Sequence, residues 1–195
     1  MITRIVALHD KVFDAIQERL DGWFPGLFAR LVFAAVLLVY FLNSSSKKFG
    51  HGFPGMFTVA DNAYFQILPT VVEHYSYDAS RIPFFPYHII VYLGAYSELL
   101  LPILIVLGLF TRIAALGMIS FVFVQSYVDI FFLKAGPQAI GAYFDHLSDS
   151  TILDQRALWV FLLVFLVIRG PGRVSLDNLL HRLFEHRKRA LSPVG

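Results

Sequence analysis

The chain has 195 residues, of which 57% are hydrophobic and only 15% charged, with a formal net charge of +2. Soluble domains carry about 25% charged residues, so the composition points to a membrane protein, and the small net charge implies no nucleic-acid partner. The absence of cysteine excludes disulfide exchange, thiolate metal sites and iron–sulfur ligation by this chain alone.

The first 23 residues are too charged to span a bilayer. Ile2, Ile5, Val6, Val12, Phe13, Ile16 and Leu20 recur at helical spacing, while Arg4, Asp10, Lys11, Asp14, Glu18 and Arg19 take the other face. This pattern predicts an amphipathic helix on the membrane surface, anchored at the bilayer by Trp23 and Phe24. Packing of the same face on a partner protein is the alternative. The start lacks the short basic region of a cleavable signal peptide, so none is expected.

A membrane domain is expected over residues 24–169. Its first three spans are predicted at residues 24–43, 87–110 and 113–133 from continuous apolar runs. The fourth has a pure apolar run only from 157 to 168, and a crossing needs about 20 residues. The helix is therefore expected to begin near Thr151, drawing Asp154, Gln155 and Arg156 into the outer membrane zone. An even number of spans places both termini on one side. With that side inside, eleven Lys and Arg fall on inner segments and five on outer ones. The positive-inside rule then predicts cytoplasmic termini. Loop 44–86, rich in Gly and Pro, is long for a bundle and is expected to be functional or to carry short structure. A helix over residues 59–75 would lie across the outer mouth. After Gly170, Pro171 and Gly172, Ser175 is placed to cap a further helix. Its face of Leu176, Leu179, Leu180 and Leu183 opposes Arg182, Arg187, Lys188 and Arg189. Residues 170–195 thus read as a basic amphipathic cytoplasmic tail suited to an anionic leaflet. The fold expected is all-α: an integral membrane four-helix bundle with amphipathic surface helices at both termini.

One carboxylate stands out. Glu98 lies near the middle of the second span, where a charge must be paired, protonated or turned to a polar cavity. Gln125 and Asp129, four apart, share a face of the third span. Arg156 lies ~20 Å above Arg169 on the fourth. The lean of each side chain toward its helix N-terminus lets Glu98, Asp129 and Arg156 converge in the outer half of the bilayer. Arg156 is then a good partner for Glu98. Arg30, only ~9 Å into the first span, leans the other way and is expected to snorkel or meet a lipid phosphate.

This cluster reads as a satisfied polar network, as a quinone headgroup site with Glu98 or Asp129 relaying protons, or as a cavity for another small molecule. Arg30, Glu98, Gln125, Asp129 and Arg156 are the candidate binding residues, and Glu98 and Asp129 the catalytic candidates. Tyr96, Tyr127 and Trp159 are aromatic candidates for lining it. His51, His74, His88 and His146 share the outer side, but their spacing matches no metal motif. They read as ordinary loop histidines, with Glu73–His74 a weak candidate for proton handling. No metal is expected.

The glutamate-bearing span runs into LGLFTRIAAL (107–116), and the fourth is followed by GPGRVSLDNLL (170–180). With Arg30 early in the first span, these motifs resemble the DoxX family of small four-helix bacterial membrane proteins. The resemblance covers residues 24–180. It implies the bundle architecture and, by analogy with members described as the small subunit of a thiosulfate:quinone oxidoreductase, an accessory role in a membrane redox system. Any catalysis would then belong to an oxidoreductase complex rather than to a stand-alone enzyme. Quinone is the small molecule implied, with no intrinsic cofactor. The expected partners are the lipid bilayer, a redox or maturation protein and a second copy of the chain. Localisation in the bacterial inner membrane follows. Relatives that accompany maturation systems keep a second reading open: a non-enzymatic scaffold or export helper that docks a periplasmic partner through the outer loop. A transporter is the third class, weakened by the lack of an internal repeat.

Overall fold

The computed structural model describes residues 2–50, 52–55 and 57–191. His51 and the side chains of Lys188 and Arg189 lie outside the described parts of the chain. Helix α1 (Ile2–Leu20) buries none of its residues and leaves Ile2, Ile5, Val6, Val12, Phe13 and Ile16 exposed along one face. The Trp23 indole N–H donates to the Arg19 carbonyl at 3.0 Å, closing its end. Pro25 then stands in the first turn of α2 (Phe24–Ser46), where its missing N–H is not needed. This span runs beyond residue 43 because the hydroxyls of Ser45 and Ser46 bond the carbonyls of Leu42 and Asn43, at 3.0 and 2.8 Å.

The outer segment folds back over the bundle as a strap. In place of one helix over 59–75 it forms two, α3 (Asp61–Ile67) and α4 (Pro69–His74). The break lies at Leu68, with φ −128° and ψ 55°, because a residue before proline is pushed out of the helical region. The strap has a small core, in which Ala63, Tyr64, Val72, Ala79 and Ile82 pack with Val91 of the next span.

Three further membrane-length helices follow: α5 (Phe84–Leu107), α6 (Thr111–Phe131) and α7 (Thr151–Arg169). With α2 they make four helices long and apolar enough to cross a membrane among the described residues. Helix α5 stops short of residue 110 because Gly108, at φ 70°, takes the left-handed conformation that ends helices. Helix α7 begins at Thr151 because Ser150 and Asp154 cap it reciprocally. The Asp154 N–H donates to Ser150 Oγ at 3.1 Å, and the Ser150 N–H to Asp154 Oδ2 at 2.9 Å. A last helix, α8 (Leu176–Leu191), is capped by Ser175, whose hydroxyl accepts from the Asn178 N–H at 3.2 Å.

The spans pack as a ring. Helix α6 lies between α5 and α7, and α2 closes the circle between the same two, so α5 and α7 stand diagonally opposed. Phe33, Phe41, Ile105, Met118, Leu163 and Leu166 fill the middle. Buried Ala29, Ala95, Ala114 and Ala115 let the helix backbones approach, as packing in lipid requires.

Candidate functional site

The buried face of α5 is a helical stripe of Val91, Ala95, Glu98, Pro102 and Ile105. Glu98 lies inside it and is 1% exposed. Pro102, four residues on, has no N–H to offer the Glu98 carbonyl. The carboxylate of Glu98 is paired with Lys48 Nζ, the two side chains being 2% and 7% exposed. Lys48 also donates to Ser44 Oγ at 3.1 Å. The strap holds it in place: the Lys48 N–H donates to Ser45 O, and the Ala60 N–H to Lys48 O, both at 2.8 Å.

Arg156 is therefore not the partner of Glu98. It donates from Nη2 to Asp129 Oδ2 at 2.5 Å and from Nη1 to Ser126 Oγ at 2.8 Å. The ring order explains the difference. Arg156 on α7 is adjacent to α6, whereas α5 lies across a core filled by Phe41 and Trp159. Two ion pairs thus replace the single expected cluster. Lys48 was missed because its place in sequence assigns it to the aqueous outer segment. The available signal was its four-carbon stem, two residues beyond the helix end, which reaches inward as readily as outward.

A cavity of about 550 Å³ opens between α5 and α6 under the strap, and Ser44, Lys48, Ser97, Glu98, Ser120, Gln125 and Asp129 supply its polar lining. Gln66 and Ile67 of α3 also border it. Leu93 and Val124 in its wall are 64% and 61% exposed on the bundle exterior, so the cavity faces the lipid phase. Its volume lies in the range of small-molecule sites, roughly 300–1,000 Å³. Gln125 donates weakly from Nε2 to the Tyr40 hydroxyl at 3.4 Å, while its buried Oε1 has no partner. Arg156 Nε is likewise buried without a partner. The arrangement can hold a polar head against Lys48, Glu98, Gln125 and Asp129 with an apolar tail in the bilayer. The larger groove between α2 and α7, about 800 Å³, offers the Gln155 amide and the Trp159 indole among otherwise apolar side chains and is lined by no charged group.

The other candidates fall elsewhere. Arg30 does not snorkel. It is 7% exposed and donates to the Val106 carbonyl from Nε and Nη2 at 3.2 and 3.0 Å, and from Nη1 to Pro171 O and Val174 O at 3.2 and 2.6 Å. Carbonyls in the last turn of a helix lack internal donors, and a five-donor guanidinium supplies them. Beside it, the Asp177 carboxylate accepts from the N–H groups of Phe110 and Thr111 and from Thr111 Oγ1, at 2.7, 3.0 and 2.9 Å. The Asp177 N–H donates to Gly108 O at 2.8 Å. Segments 107–116 and 170–180 thus meet in one clasp, away from the cavity. A Cβ on Gly108 would come within 2.6 Å of Arg30 Nη1.

Trp159 packs on Tyr40 and Phe41, Tyr96 on Phe49, and Tyr127 on Phe131 and Phe132; none lines the polar cavity. His88 joins the strap to α5. Its Nε2 donates to Ile82 O at 3.1 Å, and its Nδ1 shares a hydrogen bond with the Tyr64 hydroxyl at 2.9 Å. Burial pushes the Tyr64 phenol up, aided by Tyr92 and Asp61. Glu73, His74 and His146 are exposed. Among the described residues no group of three His, Cys, Asp or Glu is placed to hold a metal.

A family model, DoxX, matches residues 26–129, a stretch that contains Arg30, Lys48, Glu98, Gln125 and Asp129. Neither the curated proteins nor the solved structures contain a match.

Proposed function

The chain belongs to the DoxX family, and from that premise we infer that it is an accessory, quinone-interacting subunit of a membrane redox system. It contributes a membrane anchor and a polar pocket, and a partner protein supplies the redox cofactor. The observation that carries this reading is the cavity between α5 and α6, where charged and amide groups lie inside a lipid-facing wall. That combination suits a ring with hydrogen-bonding substituents on an apolar tail. The reading places the protein in the bacterial inner membrane with both termini in the cytoplasm. Setting aside the buried Arg30, Lys48 and Arg156 leaves ten cations on the inner segments against three on the outer, which supports that orientation.

The test is photolabelling of the full chain in nanodiscs with a short-tailed photoreactive quinone. Saturable labelling of the α5 and α6 walls is expected, competed by unlabelled quinone and lost in Val124→Trp, which fills the cavity mouth. Labelling that does not saturate, or that maps elsewhere, sinks the proposal.

The strap favours a second reading, docking of a periplasmic partner. It is folded around its own core and presents Tyr77, which is 67% exposed. In that case Tyr77→Ser would abolish co-purification of a partner while leaving quinone labelling intact.

A further inference from the structure

The groove between α2 and α7 runs along Phe28, Val32 and Val36 on one side and Leu158, Leu162 and Phe165 on the other. Phe28, Val36 and Leu158 are 52%, 61% and 69% exposed on the bundle exterior, so the groove opens to the hydrocarbon phase. From Phe24 to Leu37 it follows the helix for ~20 Å, against ~15 Å of hydrocarbon in one leaflet. A single acyl chain fits that depth from its head end to its tip.

The end at Phe24 opens where the chain gathers arginine. Arg169 continues the α7 stripe, four residues beyond Phe165 and eleven beyond Leu158, a spacing that returns to one helix face. Its Nη1 donates to Asp21 Oδ1 at 2.8 Å, and its other N–H groups have no acceptor among the described residues. Arg173 is fastened to the same corner. Its backbone N–H donates to Gly22 O at 3.1 Å, and a Cβ on Gly22 would come within 2.8 Å of its guanidinium carbon. The Arg173 side chain is exposed and donates to no acceptor among the described residues. The corner thus carries Arg19, Arg169 and Arg173 against Glu18 and Asp21, an excess of one positive charge.

We propose that the groove and its arginine corner form a binding site for one anionic glycerophospholipid, such as a phosphatidylglycerol. One acyl chain lies between α2 and α7, and the phosphodiester accepts from Arg169 and Arg173, whose forked donors match phosphate oxygens. A headgroup with one negative charge neutralises the corner, whereas a choline on the same phosphate restores the excess. In the ring of helices the site occupies the edge opposite the cavity between α5 and α6, and it does not depend on the quinone reading.

The test reconstitutes the full chain in nanodiscs of equal phosphatidylglycerol and phosphatidylcholine with identical acyl chains. The chain is then released into mild detergent and its retained lipid counted by native mass spectrometry. One phosphatidylglycerol per chain is expected, retained at least ~10-fold over phosphatidylcholine, as one hydrogen bond between charged groups allows. Arg173→Gln and Arg169→Gln should each lower that preference and together remove it. Arg112→Gln, which removes an exposed cation at the same end of the bundle on α6, should leave it unchanged. Val36→Trp, which fills the groove from an exposed position, should lose the lipid with both arginines in place. Free glycerol 3-phosphate should not displace the lipid. Equal retention of the two lipids, or of neither, overturns the proposal. So does a preference that survives the double variant or falls as far in Arg112→Gln. Displacement by glycerol 3-phosphate overturns the part given to the groove. A lipid-free dimer that Val36→Trp dissociates overturns the proposal in favour of a second copy on this face.

Discussion

Replacing Lys48 with methionine keeps most of the stem and removes the charge that faces Glu98. The two side chains are 7% and 2% exposed, so water does not take over the role. At an effective dielectric of about 20 and a contact of about 3 Å, the lost attraction is roughly 5 kcal/mol. Removal of one partner from a buried pair costs about 3–5 kcal/mol. The two single variants should differ. Glu98 is fixed in mid-helix and cannot reach water when Lys48 is gone. Lys48 follows the end of α2 and can swing to the outer surface when Glu98 is replaced by glutamine. Lys48→Met should therefore cost about 3–5 kcal/mol, and Glu98→Gln clearly less. The double variant should recover much of the loss, because two neutral side chains leave no unpaired charge. Equilibrium unfolding in mixed micelles, followed by the fluorescence of Trp23 and Trp159, gives the four free energies of the cycle. Single variants within about 1 kcal/mol of the parent, or effects that simply add, would falsify the assignment of a coupled buried pair.

Other perturbations test the rest of the fold. Asp177→Ala removes the acceptor at the start of α6 and should cost about 1–2 kcal/mol in the same unfolding assay, with Asp177→Asn milder. Gly108→Ala forces a side chain into the left-handed region at φ 70°, costing about 1–2 kcal/mol for the backbone alone, and it should also displace Arg30. Hydrogen bonds from the hydroxyl and N–H of Ser80, with Arg81 alongside, hold the Asp78 carboxyl below its usual range. The stabilisation of that turn is present above the ordinary carboxylate range and is lost as pH falls through the depressed value. Carbon NMR of the carboxyl should show it, with Ser80→Ala moving the titration back up. Arg156→Met strands Asp129 and should lower the melting temperature more than Arg169→Met, since Arg169 pairs with Asp21 half in solvent.

The membrane helices were legible because their signal is local. Apolar runs mark the spans, the Gly170–Pro171–Gly172 turn marks a helix end, and the shortage of apolar residues before Ala157 forces the fourth helix to begin near Thr151. Gly108, buried in an apolar run, gave no such mark, and the second span ends there instead of at residue 110. The site was legible only in part. Glu98, Gln125 and Asp129 could be placed by depth and face, and they do share a cavity. Their partners depend on the order of helices around the ring, which no periodicity encodes, and so Arg156 was matched to the wrong carboxylate. Lys48 depends on the path of a loop that doubles back over the bundle. Arg30 depends on the needs of two carbonyl-rich chain ends far from it in sequence. Charged residues near membrane boundaries have alternatives inside and outside the bundle, and only packing chooses between them.

The clasp that joins Arg30, Gly108, Thr111 and Asp177 also sets an order of events during biosynthesis. Its last member follows every membrane span, so all four spans are synthesised before the clasp can close. Until Asp177 emerges, the amides at the start of α6 lack their carboxylate, although Arg30 already has its Pro171 and Val174 carbonyls. The nascent bundle must wait in the bilayer half-fastened. A chain cut just before Ser175 retains all its hydrophobic signals for insertion and the acceptors of Arg30, but lacks the Asp177 carboxylate that ends assembly, which makes it a natural substrate for membrane quality-control proteases.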